Sequence, residues 1–191
     1  MKKIVLDIET QNTFNEVGSR DPLALSISLL VVYDYTTDQY YSFLENEFSQ
    51  LWKIIENADM IIGYNSDYFD IPLLNKYYPG DLTKIKSLDI LAEIRKVINK
   101  RISLDSVAAG TLGTHKIAKG LEAVAWWQQG EIEKIRKYCQ EDVKITKDIY
   151  DFAMANQYLR YKVMNDVQQF PINTSDWEKP SNTSINYTLP F

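Results

Sequence analysis

The chain has 191 residues, of which 45% are hydrophobic and 25% are charged, so its composition is typical of a globular protein with one core. No apolar run reaches the roughly 18 residues that a membrane span needs. An acidic residue stands as early as Asp7, which argues against a signal peptide, and the single cysteine, Cys139, excludes an internal disulfide. The sequence therefore predicts a cytoplasmic protein without a membrane partner.

The first half of the chain alternates predicted strands and helices. Four segments are apolar, β-branched or aromatic enough to be strands: residues 4–8, 25–35, 39–44 and 60–63. The turn Thr36-Thr37-Asp38 joins the second and third of them into an antiparallel hairpin. An amphipathic helix is predicted from Asn46 or Glu47 to Ile55, and another over residues 71–78, where Pro79-Gly80 ends it.

The second half is mostly helical from Leu88 onward, and its last long helix is predicted over about residues 130–158. Strands followed by a helical second half predict an α/β fold with a mixed β-sheet flanked by helices. Residues 165–191 are polar and carry three prolines, so we expect an extended tail, with residues 170–177 docked as an edge strand.

Four acidic residues stand out by their positions. Asp7 and Glu9 alternate at the end of the first predicted strand, so both side chains leave the same face of the sheet. Asp70 follows the strand at residues 60–63. Asp142 lies on the last helix, four residues after Tyr138, so these two side chains share a helix face.

Carboxylates gathered in this way need a compensating charge. Buried acids are costly unless they are paired or bound to metal, and hard divalent cations are their natural ligands. Two such cations about 4 Å apart can clamp the attacking and leaving oxygens of a phosphodiester. For Asp7 and Glu9 alone, a solvated strand end is the ordinary alternative, and the segments around Asp70 and Asp142 make it the weaker interpretation.

The charge distribution is compatible with a polyanionic substrate. The net charge is −5, but residues 76–147 hold 14 basic and 9 acidic residues, whereas the remainder holds 7 basic and 17 acidic ones. Such asymmetry suits a protein that binds phosphates with one region and collects metal-binding acids in another. Lysine-rich helix faces in solvent would give the same pattern.

Three segments of the chain resemble, in order, the motifs of the DEDD exonuclease superfamily. Leu6-Asp7-Ile8-Glu9-Thr10 is similar to the first motif. The segment from Gly63-Tyr64-Asn65 to Phe69-Asp70 is similar to the second motif in the proofreading domain of B-family DNA polymerases. Tyr138-Cys139-Gln140-Glu141-Asp142-Val143 is similar to the third motif in its tyrosine form. The resemblance covers roughly residues 3–155.

The resemblance implies an RNase H-like 3′→5′ exonuclease domain over residues 1–164, followed by a polar tail over residues 165–191. It implies two Mg²⁺ or Mn²⁺ ions and the release of nucleoside 5′-monophosphates from the 3′ ends of single-stranded nucleic acid, with DNA favoured. Because no polymerase domain follows, we expect a stand-alone enzyme. The resemblance leaves open whether this enzyme acts together with a replication or repair partner.

The resemblance also assigns residues to roles. Its five catalytic candidates are Asp7, Glu9, Asp70, Tyr138 and Asp142. The four carboxylates among them would be the metal ligands, and the phenol would orient the attacking water, since tyrosine is a poor base at neutral pH. Three further residues match positions that contact the terminal nucleotide: Thr10, Asn65 and Phe69.

Several residues compete with this assignment. Lys137 stands where a sister subfamily has its histidine, and the only histidine, His115, lies in a predicted loop. Asp67, Asp89 and Asp148 are rival acids, although Asp89 is also placed to cap the following helix.

Three functional alternatives stay open. The same site would suit an RNA-trimming 3′→5′ exoribonuclease, because no residue plainly reads the 2′-hydroxyl. A catalytically silent nucleic-acid-binding module would have no need of all five catalytic candidates. A hydrolase of small phosphoesters is disfavoured by the basic middle region.

Overall fold

The computed structural model describes residues 1–114 and 120–180, with residues 120 and 121 described by their backbone only. The strands are β1 Lys3–Thr10, β2 Ile27–Asp34, β3 Gln39–Phe43, β4 Met60–Gly63, β5 Lys86–Asp89, β6 Tyr158–Val163 and β7 Asp166–Pro171. The α-helices are α1 Phe14–Val17, α2 Phe48–Ile55, α3 Asp70–Asn75, α4 Ile90–Ile98, α5 Leu104–Thr111, α6 Gly120–Gln128 and α7 Ile132–Asn156. Short 3-10 turns lie at Pro22–Ala24, Glu45–Glu47 and Leu82–Lys84.

Five strands form one mixed sheet in the order β3-β2-β1-β4-β5. The pairs β1–β2 and β2–β3 are antiparallel, whereas β1–β4 and β4–β5 are parallel. In the centre, Asp7 pairs with Val31 and Glu9 with Leu29, and the register shifts between Glu9 and Thr10, where β1 ends. The carboxyl ends of the parallel strands β1 and β4 therefore meet at one edge of the sheet, where the motifs lie.

Two hydrophobic layers cover the two faces of the sheet. Val5 of β1 packs in the layer that includes α4, α5 and α7, whereas Ile4, Leu6 and Ile8 pack in the layer that includes α2 and α3. Because side chains alternate along a strand, Asp7 and Glu9 lie on the same face as Val5, which is the face that α7 covers. Each fully buried aliphatic side chain in these layers contributes roughly 1.5–3 kcal/mol.

The C-terminal part differs from the predicted extended tail. β6 and β7 pair antiparallel in a separate two-stranded sheet, so β7 does not join the edge of the main sheet as predicted for residues 170–177. The hairpin packs on α5, where a Cβ added to Gly110 would lie 2.6 Å from the Tyr161 backbone. Phe170 and Trp177 are buried. Met164 lies in the hairpin turn, and the predicted domain boundary at residue 164 remains a prediction.

No helix in the described ranges has both the length and the apolar content that a membrane crossing takes.

Candidate active site

The connection from β4 to α3 is a tight turn that presents Asp70. A Cβ added to Gly63 would lie 2.4 Å from Ser66 Cβ, so this position takes glycine only. Asn65 has a φ of 66°, a conformation that asparagine tolerates better than most residues. The Asn65 backbone N–H donates to Asp89 Oδ1 over 2.8 Å, and that carboxylate also caps α4 through the Ala92 N–H at 3.2 Å. Asp89 therefore holds the second motif in shape, and the predicted capping role is confirmed.

One cavity of about 580 Å³ unites the residues that the sequence singled out. Its wall includes all eight predicted catalytic and substrate-binding residues: Asp7, Glu9, Thr10, Asn65, Phe69, Asp70, Tyr138 and Asp142. They come from β1, the β4–α3 connection, α3 and α7, which converge only in the folded chain.

The four carboxylates of the cavity are mostly buried. Glu9 is 8%, Asp70 4% and Asp142 3% exposed. Asp70 Oδ1 accepts a hydrogen bond from the Ile8 backbone N–H at 3.1 Å, which ties the start of α3 to β1. Burial raises the pKa of Asp70 well above its usual value, and the negative charge of Asp7 raises it further. The site thus concentrates negative charge that a cation would neutralise.

This donor set fits hard divalent cations. Carboxylate oxygens are the ligands that Mg²⁺ and Mn²⁺ prefer. Ligand atoms of Asp7, Glu9 and Cys139 lie within 4.8 Å of one another, so the two acids can bind a common ion. The soft thiol of Cys139 is the poorer partner for such an ion.

Cys139 contributes a hydrogen-bond donor to the site. Its Sγ lies 3.3 Å from the carbonyl oxygen and 3.5 Å from Oδ2 of Asp7. Burial, followed by the charge of Asp7, raises the pKa of the Cys139 thiol well above its usual value, so the thiol stays protonated and donates to Asp7. The sequence showed Cys139 only as part of the apolar stripe of α7, because the approach of α7 to β1 is a tertiary contact.

Tyr138 is 4% exposed and lies beside Asp142 on α7. Burial raises the pKa of its phenol first, and the charges of Asp142, Glu9 and Asp7 raise it further. The phenol therefore keeps its proton at physiological pH. The Trp126 ring meets the Tyr138 ring edge-on, with ring centroids 6.0 Å apart and planes at 73°.

The substrate-binding candidates line the same cavity, together with residues that the sequence analysis missed. Thr10 Oγ1 donates to the Asn12 carbonyl oxygen at 2.9 Å. The Phe69 ring meets the Phe14 ring edge-on, with centroids 6.1 Å apart. The missed lining residues include Asn12, Thr13, Phe14, Asn15, Leu25 and Val124, and Tyr64 of the second motif also lines the cavity. A signal for α1 existed in the capping box formed by Thr13 and Glu16.

Two rival acids lie outside the cavity. Asp67 is exposed and accepts a hydrogen bond from the Ser87 hydroxyl, and Asp148 forms ion pairs with Lys144 and Lys147. His115 lies outside the described residues.

The family of the chain follows from a match to known proteins. The fold and the acidic site define an RNase H-like α/β protein, as predicted. The model of the RNase H superfamily matches residues 4–154, so the chain belongs to that superfamily.

A solved structure with a similar fold is the family B DNA polymerase from the hyperthermophilic archaeon Pyrobaculum calidifontis. The TM-score is 0.61 at 20% sequence identity, with 81% of this chain and 24% of the polymerase chain covered. The chain thus spans about a quarter of that polymerase, and the likeness is one of fold. No curated protein has a matching sequence. Superfamily and fold together support a nuclease.

Proposed function

We propose that this protein is a metal-dependent 3′→5′ exonuclease of the tyrosine-type DEDD class. Its substrate is single-stranded nucleic acid, with DNA favoured, and its products are nucleoside 5′-monophosphates. The observation that carries the proposal is the single cavity lined by all eight residues that were selected from sequence motifs alone.

Asp7, Glu9, Asp70 and Asp142 would hold two Mg²⁺ or Mn²⁺ ions. When bound, such ions supply Lewis acidity to water and to the phosphate oxygens. The buried carboxylates favour this occupancy, because Asp7 and Asp70 repel each other without a cation between them.

Tyr138 would orient the attacking water through its hydroxyl. Its raised pKa keeps the phenol neutral, so the phenol does not compete with the carboxylates for cations. Because a protonated phenol cannot act as a base, its contribution is the direction of the water.

Thr10, Asn65 and Phe69 would hold the terminal nucleotide. A hydroxyl and an amide can hydrogen-bond to sugar or phosphate, and the paired rings of Phe69 and Phe14 offer an apolar contact for a base. None of these groups distinguishes ribose from deoxyribose, so the choice between DNA and RNA is an outcome of the assay.

The test is a gel assay with 5′-labelled single-stranded DNA and RNA of equal sequence in Mg²⁺ or Mn²⁺. We expect a ladder that shortens from the 3′ end. The Asp142→Asn variant should lose at least about a hundredfold in rate, since it removes a ligand charge. A rate on RNA well above that on DNA would favour the exoribonuclease.

The matched control is Asp67→Asn, because Asp67 is an aspartate of the second motif, three residues before Asp70, and its side chain lies outside the active-site cavity. It should cleave at the wild-type rate. Folded protein that binds Mn²⁺ but shortens neither strand would contradict the proposal and favour a binding module or a hydrolase of small phosphoesters.

A further inference from the structure

A second cavity opens beside the candidate active site, and the charged side chains that line it are positive instead of negative. It measures about 580 Å³ and shares Phe14 and Asn15 with the active-site cavity. The described residues that line it include Arg20 and Arg101 and no acid, whereas four carboxylates line the active-site cavity. A polyanion whose end lies among bound cations would meet these arginines next.

Both arginines are available to a ligand. Arg20 follows α1, and Arg101 lies in the connection between α4 and α5. Both are exposed, and neither forms a salt bridge with any residue that the structure describes. A guanidinium group without a carboxylate partner can bind a phosphate through two parallel hydrogen bonds.

An exposed aromatic ring lines the second cavity together with the arginines. Tyr68 lines the second cavity and is 54% exposed, and its hydroxyl donates to the Arg20 carbonyl oxygen at 3.1 Å. That hydrogen bond ties the ring to the loop that carries Arg20. Its neighbour Phe69 contacts Phe14, which borders both cavities. A fixed, exposed ring beside two cationic side chains has the composition of a site for single-stranded nucleic acid.

We infer that the second cavity binds the nucleotides on the 5′ side of the terminal one, with Arg20 and Arg101 on phosphates and Tyr68 stacked on a base. The ligand is a single-stranded polynucleotide that is recognised by its phosphates and base faces, independently of base sequence. The inference rests on the proposed function, because it assumes that the 3′ end occupies the active-site cavity.

The test is the affinity for a 5′-fluorescein oligodeoxythymidylate of about 12 nucleotides, measured by fluorescence anisotropy in Ca²⁺ across a salt series. Arg20→Ala and Arg101→Ala should each weaken binding about tenfold at low salt and lower the slope of log affinity against log salt by about one. Tyr68→Leu should weaken binding about tenfold, whereas Tyr68→Phe, which keeps the ring and loses only the hydrogen bond to the Arg20 carbonyl oxygen, should weaken binding much less.

Lys53→Ala is the control for a general loss of positive charge. Lys53 is exposed on α2 and lines another cavity together with Lys2 and Ile4, at the start of β1 and thus at the opposite end of that strand from Glu9. Its removal should leave both the affinity and the salt slope unchanged. Arginine variants that keep the wild-type affinity and slope would overturn the inference, as would a wild-type protein that does not bind the oligonucleotide.

The outcome is separable from that of the proposed function. A wild-type protein that binds through Arg20, Arg101 and Tyr68 but does not shorten the strand in Mn²⁺ would contradict the exonuclease and keep this binding surface. A wild-type protein that shortens the strand while all three variants bind normally would contradict the binding surface alone.

Discussion

Two of the candidate carboxylates, Asp70 and Asp7, touch a neighbour that positions them. The Ile8 backbone N–H holds Asp70, and the Cys139 thiol lies against Asp7. These partners belong to the motif segments, yet they contribute a backbone amide and a thiol instead of an acid. At the scale of single residues, the site therefore depends on contacts that a list of acidic residues omits.

We expect Tyr138→Phe to lower the rate of exonuclease turnover by roughly 10²- to 10⁴-fold, the usual contribution of a group that handles the reacting water. The raised pKa keeps the phenol neutral, and Tyr138 is not among the proposed cation ligands, so the rise in melting temperature on adding Mn²⁺ should persist. Turnover rates and melting curves of the wild type and the variant, measured with and without Mn²⁺, test both expectations. A variant that loses the Mn²⁺ effect would make Tyr138 a structural residue.

Asp70→Asn should make the metal-free protein more stable than the wild type at neutral pH. The folded-state pKa of Asp70 is raised, first by burial and then by Asp7. A group with a raised pKa favours the folded state below its unfolded pKa, near 3.9, and this stability is lost as the pH rises through the folded pKa. The advantage of the variant should therefore appear as the pH rises above 3.9 and be largest at neutral pH.

Urea unfolding of EDTA-treated wild type and Asp70→Asn between acidic and neutral pH measures this difference. A variant that is less stable than the wild type throughout that range would show that the Asp70 charge is already compensated in the fold.

At the scale of elements, the strands β1 to β4 and the helices α2, α3 and α7 were predictable, whereas β5 and the β6–β7 hairpin were not. The β2–β3 hairpin and α7 have long apolar patterns. β5 has four residues, Lys86–Asp89, of which only Leu88 and Asp89 are buried, so its pattern does not indicate a strand and Leu88 falls at the beginning of the predicted helical region. β7 exposes five of its six residues and is held mainly through Phe170, which gives no strand alternation to detect.

The β6–β7 hairpin can pack closely on α5 because Gly110 has no side chain. Glycine to alanine within a helix usually stabilises a protein by about 1 kcal/mol. Here the added Cβ would meet the Tyr161 backbone at 2.6 Å, and backbone cannot move aside cheaply. We expect Gly110→Ala to lower the free energy of unfolding by about 1–3 kcal/mol.

Urea unfolding measures that change as well. Ser106→Ala is a suitable comparison, because it removes only a hydrogen bond from α5 to the Lys162 carbonyl oxygen and should cost about 1 kcal/mol. A stabilised Gly110→Ala protein would show that the hairpin packs less closely on α5.

At the scale of the whole molecule, a cavity lined by carboxylates and a cavity lined by arginines lie side by side. The net charge of −5 conceals this arrangement, since the carboxylates of the site contribute to it. The second, arginine-lined cavity borders the acidic one through Phe14 and Asn15. Cations in the site would reverse the local charge and favour a polyanion along both cavities.

Millimolar Mn²⁺ or Mg²⁺ should therefore raise the melting temperature of EDTA-stripped protein. A cation that binds only the folded state at a hundred times its dissociation constant contributes about 2.7 kcal/mol, which corresponds to a rise of several degrees in a protein of this size. Asp142→Asn should reduce the rise. A wild-type melting curve that Mn²⁺ does not move would count against the carboxylates as ligands.

The sequence by itself determined the fold class and the identity of the candidate side chains. The alternation of Asp7 and Glu9 and the spacing of Tyr138 and Asp142 are properties of a single strand and a single helix, so they can be recognised locally. Only the tertiary structure decided that Cys139 touches Asp7 and that arginines line a neighbouring cavity. The physical reason is that such contacts join residues far apart in the chain and depend on how helices pack on the sheet, which no local pattern encodes.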